Sequence, residues 1–167
     1  EMVEEVRGAG ERCLIFTQFV AMGHLLQHVL RHRLKQPVMF MHGGIGKKMR
    51  DRMIAEFQRQ ETECGVFILS LKTGGTGLNL TTANHVFHYD RWWNPAVENQ
   101  ASDRVYRIGQ QRNVFVHKLM TIGTLEEKID ELLEHKLELS HKIIGGEHWI
   151  GELSNEELRE LLELRTV

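Results

Sequence analysis

CLIFTQFVAMGHLLQHVLRHRLKQPVMFM, residues 13–41, carries the pattern from which the fold is read. Its first five residues, Cys13 to Thr17, and its last four, Val38 to Met41, are runs of strand-forming residues. Between them Met22, Leu25, Leu26, Val29 and Leu30 recur at helical spacing and define one predicted apolar face. Outward from this strand–helix–strand unit the alternation continues. Met49, Met53 and Phe57 repeat every four residues and predict another helix packing onto a sheet, and Val66 to Ser70, His85 to Tyr89 and Val114 to Leu119 predict further strands. Strands alternating with helices imply a three-layer α/β architecture, a mostly parallel sheet covered on both faces. In such sheets ligand chemistry gathers beyond the carboxyl ends of the strands, so function is expected in the loops after Thr17, Met41, Ser70 and Tyr89.

With 167 residues, 41% hydrophobic and 26% charged, the chain suffices for one domain with a real core. No apolar run approaches the roughly 20 residues of a membrane-spanning helix, so no membrane partner is expected. Two cysteines, Cys13 and Cys64, sit beside apolar runs without CxxC or zinc-ligand spacing; they read as reduced core thiols. His24, His28 and His32 are four apart but rotated from the apolar stripe and joined by no carboxylate, which marks a solvated face and no metal site. His42, His85, His88 and His117 lie in or beside strands, where hydrogen bonds are expected to satisfy them. No serine lies in a GxSxG elbow, and no signal-peptide pattern or internal repeat is present. The chain begins at Glu1 and not at methionine, which suggests a piece of something larger.

The formal charge of −2 argues at first against a nucleic-acid partner, but it is unevenly placed. Residues 1–123 hold 16 basic and 11 acidic side chains, +5, whereas residues 124–167 hold 5 basic and 12 acidic, −7. A basic body thus carries an acidic tail that masks it in the total. The character also changes at Thr124, where Thr124 and Glu127 form a predicted capping box ahead of a helical stripe through Ile129, Leu132, Leu133 and Leu137. A second box, Ser154 with Glu157, opens a last predicted helix after the hinge GGEHWIG at Gly145 to Gly151. The chain therefore divides into residues 1–123 and a helical extension, 124–167.

Three constellations carry chemistry. QASDRVYRIGQ, residues 100–110, places Arg104 and Arg107 three apart, so on a helix they share a face, with Gln100 one turn back; two guanidinium forks and an amide suit a polyanionic phosphate. The alternative is a solvated helix with Asp103 and Glu98 as salt-bridge partners. LKTGGTGLNL, residues 71–80, follows a strand and has glycines at 74, 75 and 77 whose amides can cradle phosphate. It is not a dinucleotide fingerprint, and no Walker A motif occurs in the chain; GGIGKK from Gly43 has the wrong spacing. DRWWNP, residues 90–95, offers two indoles pointing opposite ways, one suited to nucleic acid and one to the core, or both to the core.

In this order the segments resemble the second RecA-like lobe of superfamily 2 translocases of the Swi/Snf type. CLIFTQF at 13–19 is similar to helicase motif IV, residues 68–95 to motif V with its extension, and QASDRVYRIGQ to motif VI. The resemblance implies a RecA-like lobe of the P-loop-NTPase type. Arg104 and Arg107 then match the arginine fingers that reach ATP across the interlobe cleft, and Gln100 matches the glutamine opening motif VI. Gly75 and Gly77 fall with Thr76 in the nucleotide-sensing part of motif V, and Lys72, Thr73 and Gly74 in its DNA-contacting part. Trp93 matches the residue against the duplex near its minor groove, more firmly than Trp92. Gln18 and Phe19 fall in motif IV; His42, Gly43, Lys47 and Lys48 lie where the lobe touches the tracked strand. ATP with Mg²⁺ is the implied cofactor, held mainly by an N-terminal lobe that carries the Walker A lysine and Walker B acids. No metal site is expected here, and the lobe alone is expected to be inactive.

Double-stranded DNA and that N-terminal lobe are the implied partners, with a nucleosome or RNA polymerase as a further target. The helices from Thr124 resemble a brace between the lobes. An RNA helicase lobe and a non-catalytic DNA- or partner-binding module are the rival readings. The compact form favours a prokaryotic cytoplasm or nucleoid over a eukaryotic nucleus.

Overall fold

The computed structural model describes residues 1–130 except 72, 74–77, 93, 94, 108 and 129. In chain order the elements are α1 (Met2–Gly8), β1 (Cys13–Thr17), α2 (Val20–Leu34), β2 (Val38–Met41), α3 (Lys47–Gln58), β3 (Val66–Ser70), β4 (His85–His88), α4 (Pro95–Ser102) and β5 (Phe115–Lys118). The five strands form one sheet in the order β2-β3-β1-β4-β5, every pairing parallel. Three predicted strands have the observed bounds; the fourth ends one residue earlier, at His88, and the fifth loses one residue at each end.

Alternation along the buried strands divides the core in two. Leu14, Phe16, Phe67, Leu69 and Val86 face Phe57 of α3 and Ala101 of α4, while Cys13, Ile15, Val66, Ile68 and Phe87 face Val6 of α1 and Leu26, Leu30 and Leu34 of α2. The sheet is thus covered on both faces, as the alternation of elements requires. Between β3 and β4 the described residues contain no helix.

The buried face of α2 is not the one its sequence suggests. Leu26 and Leu30 pack on the sheet, but Leu25 and Val29 are 54% and 42% exposed, and the helix residue fully covered is Gly23. A Cβ at Gly23 would stand 2.2 Å from the Phe40 ring, so the absence of a side chain lets α2 lie directly on that ring. This rotates the contact face to Gly23, Leu26, Gln27 and Leu30. Gln27 Nε2 and the Arg31 guanidinium then donate to the Val38 carbonyl at 2.8 and 2.9 Å. On α3 the same correction is milder: Phe57 is buried and Met53 half-buried, but Met49 is 53% exposed.

Both cysteines are free and buried, and burial pushes the Cys13 thiol up to about 12. No helix among the described residues is long and apolar enough to cross a membrane. His88, fully buried beneath the site, stacks on Phe16 and places Nε2 3.0 Å from Ser102 Oγ. Burial drives its pKa down to about 4 from 6.5, opposed by Glu98 and aided by Lys118 and Arg91. The unfolded chain therefore takes up this proton first as pH falls. The contribution of neutral His88 is complete above pH 6.5 and is lost between 6.5 and about 4. We expect urea unfolding to show a loss on the order of 3 kcal/mol across that window, a loss that His88→Gln abolishes.

Candidate nucleotide and nucleic-acid site

The strands start nearly level: Cys13 is paired with both Val66 and His85, Val66 with Val38, and His85 with Phe115. Their carboxyl ends consequently line up, and the loops after β1, β2, β3 and β4 share one edge. Asp90 ties two of them together. Its carboxylate accepts from Thr17 Oγ1 at 2.5 Å and from the Gln18 amide at 2.8 Å. Burial raises its pKa, while these two bonds oppose the rise. Gln18 Nε2 in turn donates to the Arg91 carbonyl, so motif IV and the DRWWNP loop are fastened to each other. Phe19, next to Gln18, is 61% exposed.

The β2 end supplies His42, Gly43, Lys47 and Lys48. His42 is half-buried, its Nδ1 accepts from the Gly44 amide at 3.2 Å, and its ring packs on Phe40 and His24. His24, His28 and His32 are exposed, and among the described residues no cluster of His, Cys, Asp or Glu is arranged to hold a metal. Gly43, Lys47 and Lys48 are exposed. Lys47 and Lys48 open α3, whose first turn holds no acid and whose Gly46 cap contributes no side-chain bond. Positive side chains at the positive end of a helix dipole leave that end suited to an anion. Arg50, which the sequence reading passed over, shapes this loop by donating to the Ile45 and Gly43 carbonyls at 2.6 and 3.0 Å.

After β3, Thr73 is buried and turned inward, with Oγ1 2.7 Å from the Ser70 carbonyl and 2.8 Å from Ser70 Oγ. Lys72, Gly74, Gly75, Thr76, Gly77 and Trp93 lie outside the described residues. Trp92 is half-buried against the core.

Motif VI departs from the helical reading. Helix α4 ends at Ser102, so Gln100, Arg104 and Arg107 do not share one helical face. Arg104 lies in the following turn, 4% exposed, its carbonyl accepting from the Leu80 amide at 3.1 Å; Arg107 and Gln100 are exposed. Arg104 Nε is buried without a hydrogen-bond partner among the described residues. Burial and then the charge of Arg107 push the Arg104 pKa down, with Asp103 opposing. Two cations side by side, one desolvated with a donor unused, form an arrangement that an anion would relieve. Gln110 holds the loop in place, Nε2 donating to the Ala83 and Thr81 carbonyls at 2.8 and 3.1 Å and Oε1 accepting from the Arg112 amide at 2.9 Å. Arg107 also lines an open groove of about 600 Å³ with Tyr106, Arg112, Asn113 and Phe115.

Glu98 is not the surface partner of these arginines. It is 1% exposed, and Oε1 accepts from Arg91 Nε at 3.1 Å and from the Trp92 amide at 2.9 Å, while Oε2 faces Lys118 Nζ at 3.5 Å. Arg91, 5% exposed, also donates to Asp130. Burial disfavours its charge, but Glu98 and Asp130 together outweigh burial and hold the guanidinium protonated. Just before Asp130, the capping box is shifted by one residue: Thr124 Oγ1 accepts from the Glu126 amide at 3.3 Å, and Glu127 from the Gly123 amide at 3.0 Å.

A parallel five-stranded sheet with helices on its faces is a RecA-like lobe. The chain belongs to the helicase conserved C-terminal domain family, whose model matches residues 1–109, and its relatives are of the SWI2/SNF2 type. It is 56% identical over 164 residues to YwqA of Bacillus subtilis, covering 98% of this chain and 18% of that protein. It is 38% identical over 145 residues to the chromatin-remodeling ATPase INO80 of Drosophila melanogaster, covering 87% of this chain and 9% of that one. Among solved structures, the Sulfolobus solfataricus SWI2/SNF2 ATPase core in complex with dsDNA aligns with a TM-score of 0.80 and 49% identity, over 99% of this chain and 34% of that chain. The Sulfolobus solfataricus SWI2/SNF2 ATPase C-terminal domain aligns with a TM-score of 0.76 and 45% identity, over 99% of this chain and 66% of that one. The chain thus spans less than a fifth of either curated relative, and its family is one of ATP-dependent helicases and ATPases.

Proposed function

We propose that this chain is the C-terminal lobe of an ATP-dependent double-stranded-DNA translocase, with Arg104 and Arg107 facing the phosphates of ATP held by an N-terminal lobe. The observation that carries the reading is the Arg104–Arg107 pair: a buried guanidinium with an unused Nε beside a second, exposed one. A phosphate fits this pair, since it supplies an acceptor for the unused Arg104 Nε and a match for the planar guanidinium fork. ATP, bound with Mg²⁺ on the partner lobe, supplies the phosphoryl group transferred to water. Arg107 stabilises negative charge developing on that group and Arg104 positions it, with the Gln110 amide bonded to the Arg107 carbonyl and the Leu80 amide to that of Arg104. Gln100, Gly75 and Gly77 are assigned to sensing the nucleotide.

His42, Gly43, Lys47, Lys48, Lys72, Thr73, Gly74 and Trp93 are assigned to the DNA backbone and minor groove. The exposed lysines at the start of α3 support this, as does the +5 charge of residues 1–123. Closure of the lobes on ATP and reopening after hydrolysis would then advance the protein along one strand. Thr73 acts here through its backbone, since its hydroxyl is committed inside.

The test is stimulation of the full-length protein's ATPase by duplex DNA, single-stranded DNA and RNA at one fixed salt concentration. Duplex DNA is expected to stimulate most. Preferential stimulation by RNA would replace this reading with an RNA helicase, and no stimulation by any nucleic acid would point to a non-catalytic module.

A further inference from the structure

Arg91 stands where five segments meet, tied to them by hydrogen bonds and ion pairs that it makes or relays. Its carbonyl accepts from Gln18 after β1, its Nε donates to Glu98 in α4, and its Nη1 donates to Asp130, in the helical turn past Thr124. Glu98 passes the connection on to the Trp92 amide at 2.9 Å and to Lys118 of β5 at 3.5 Å. On one side of this joint lies the loop carrying Trp92 and Trp93; on the other, α4 leads within two residues of its end to Arg104. We propose that Arg91 is a positioning residue, fixing the DRWWNP loop and α4 to the turn at residues 124–130 through Glu98 and Asp130, so that a displacement at Asp130 moves both. The proposal rests on the translocase reading above.

The chemistry of the joint suits transmission. An apolar contact can slide, whereas charge-assisted hydrogen bonds from a planar guanidinium fix direction as well as distance. The two ends also differ in how easily they release. The Glu98 side chain is 1% exposed and cannot leave Arg91 without stranding two buried charges, whereas that of Asp130 is 27% exposed and can be taken up by water. Asp130 is therefore the weaker end of the joint, the one whose loss loosens it without unfolding the core.

Asp130→Asn in the full-length protein separates this role from simple support. We expect duplex-stimulated ATPase within about twofold of wild type, while base pairs translocated per ATP fall by about fivefold, within the range for one coupling contact. Asp130→Glu is expected to restore most of the coupling. Hydrogen exchange at the Trp92 amide, bonded to Glu98, is expected to quicken in Asp130→Asn while the β1 amides stay protected. An equal fall in translocation and ATPase, unchanged coupling, or unchanged exchange at Trp92 would each overturn the joint. Absence of duplex-stimulated ATPase in the wild type would instead overturn the translocase reading, with the exchange experiment still deciding whether the joint exists.

Discussion

Arg107→Ala in the full-length protein lowers duplex-stimulated ATPase by about three orders of magnitude or more, the loss typical of removing an arginine finger, with little change in melting temperature. The two expectations belong together because Arg107 is exposed: its removal opens no cavity. Arg104 differs, being 4% exposed, buried beside a like charge, and bonded through its backbone to Leu80. Arg104→Lys keeps the charge but loses the planar fork, so it too should lower the rate, whereas a surface role would tolerate it. Steady-state ATPase at saturating DNA, read beside a melting curve, checks both. If Arg107→Ala retains activity within a few-fold of wild type, the finger assignment fails.

Glu98→Ala has the largest expected effect on stability. It removes the buried acceptor of Arg91 Nε and leaves the guanidinium with Asp130 alone, frees the Trp92 amide and deprives Lys118 of its buried partner. Breaking a buried pair from one side costs about 3–5 kcal/mol, because the remaining charge keeps its desolvation penalty. For a chain of this size that corresponds to a fall in melting temperature of roughly 10 °C or more. Glu98→Gln should lose less, since an amide oxygen can still accept from Arg91 and Asp130 continues to pair with it. Thermal unfolding of the two variants measures the difference; equal losses would mean that packing around Glu98, and not its charge, holds the region.

These two predictions show where reading the sequence stops. QASDRVYRIGQ announces a phosphate-directed pair of arginines, but spacing places them on one helical face, whereas α4 ends at Ser102 and the chain turns. Likewise Glu98 reads as a solvated acid on an exposed helix, and the structure makes it among the least exposed side chains. One signal was available: Asp90 and Arg91 are adjacent charges directly after the predicted strand His85 to Tyr89, at the end of the sheet where the site lies. Arg50 and Gln110 gave no such signal, because their bonds are to backbone carbonyls of loops whose path only the fold defines.

The sequence alone determines the alternation of strands and helices, hence the parallel three-layer lobe, and the order of its three motifs. It can do so because periodicity records which faces are apolar, and in five short strands the runs are unambiguous. The tertiary structure decides which charges are buried and with whom, because those partners are set by distant pairings such as Thr17 with Asp90, 73 residues apart. It decides the contact face of α2 for a related reason. Hydrophobicity counts Leu25 and Val29 as inward, but a glycine facing the Phe40 ring permits a closer approach than any leucine would, and close packing selects that face.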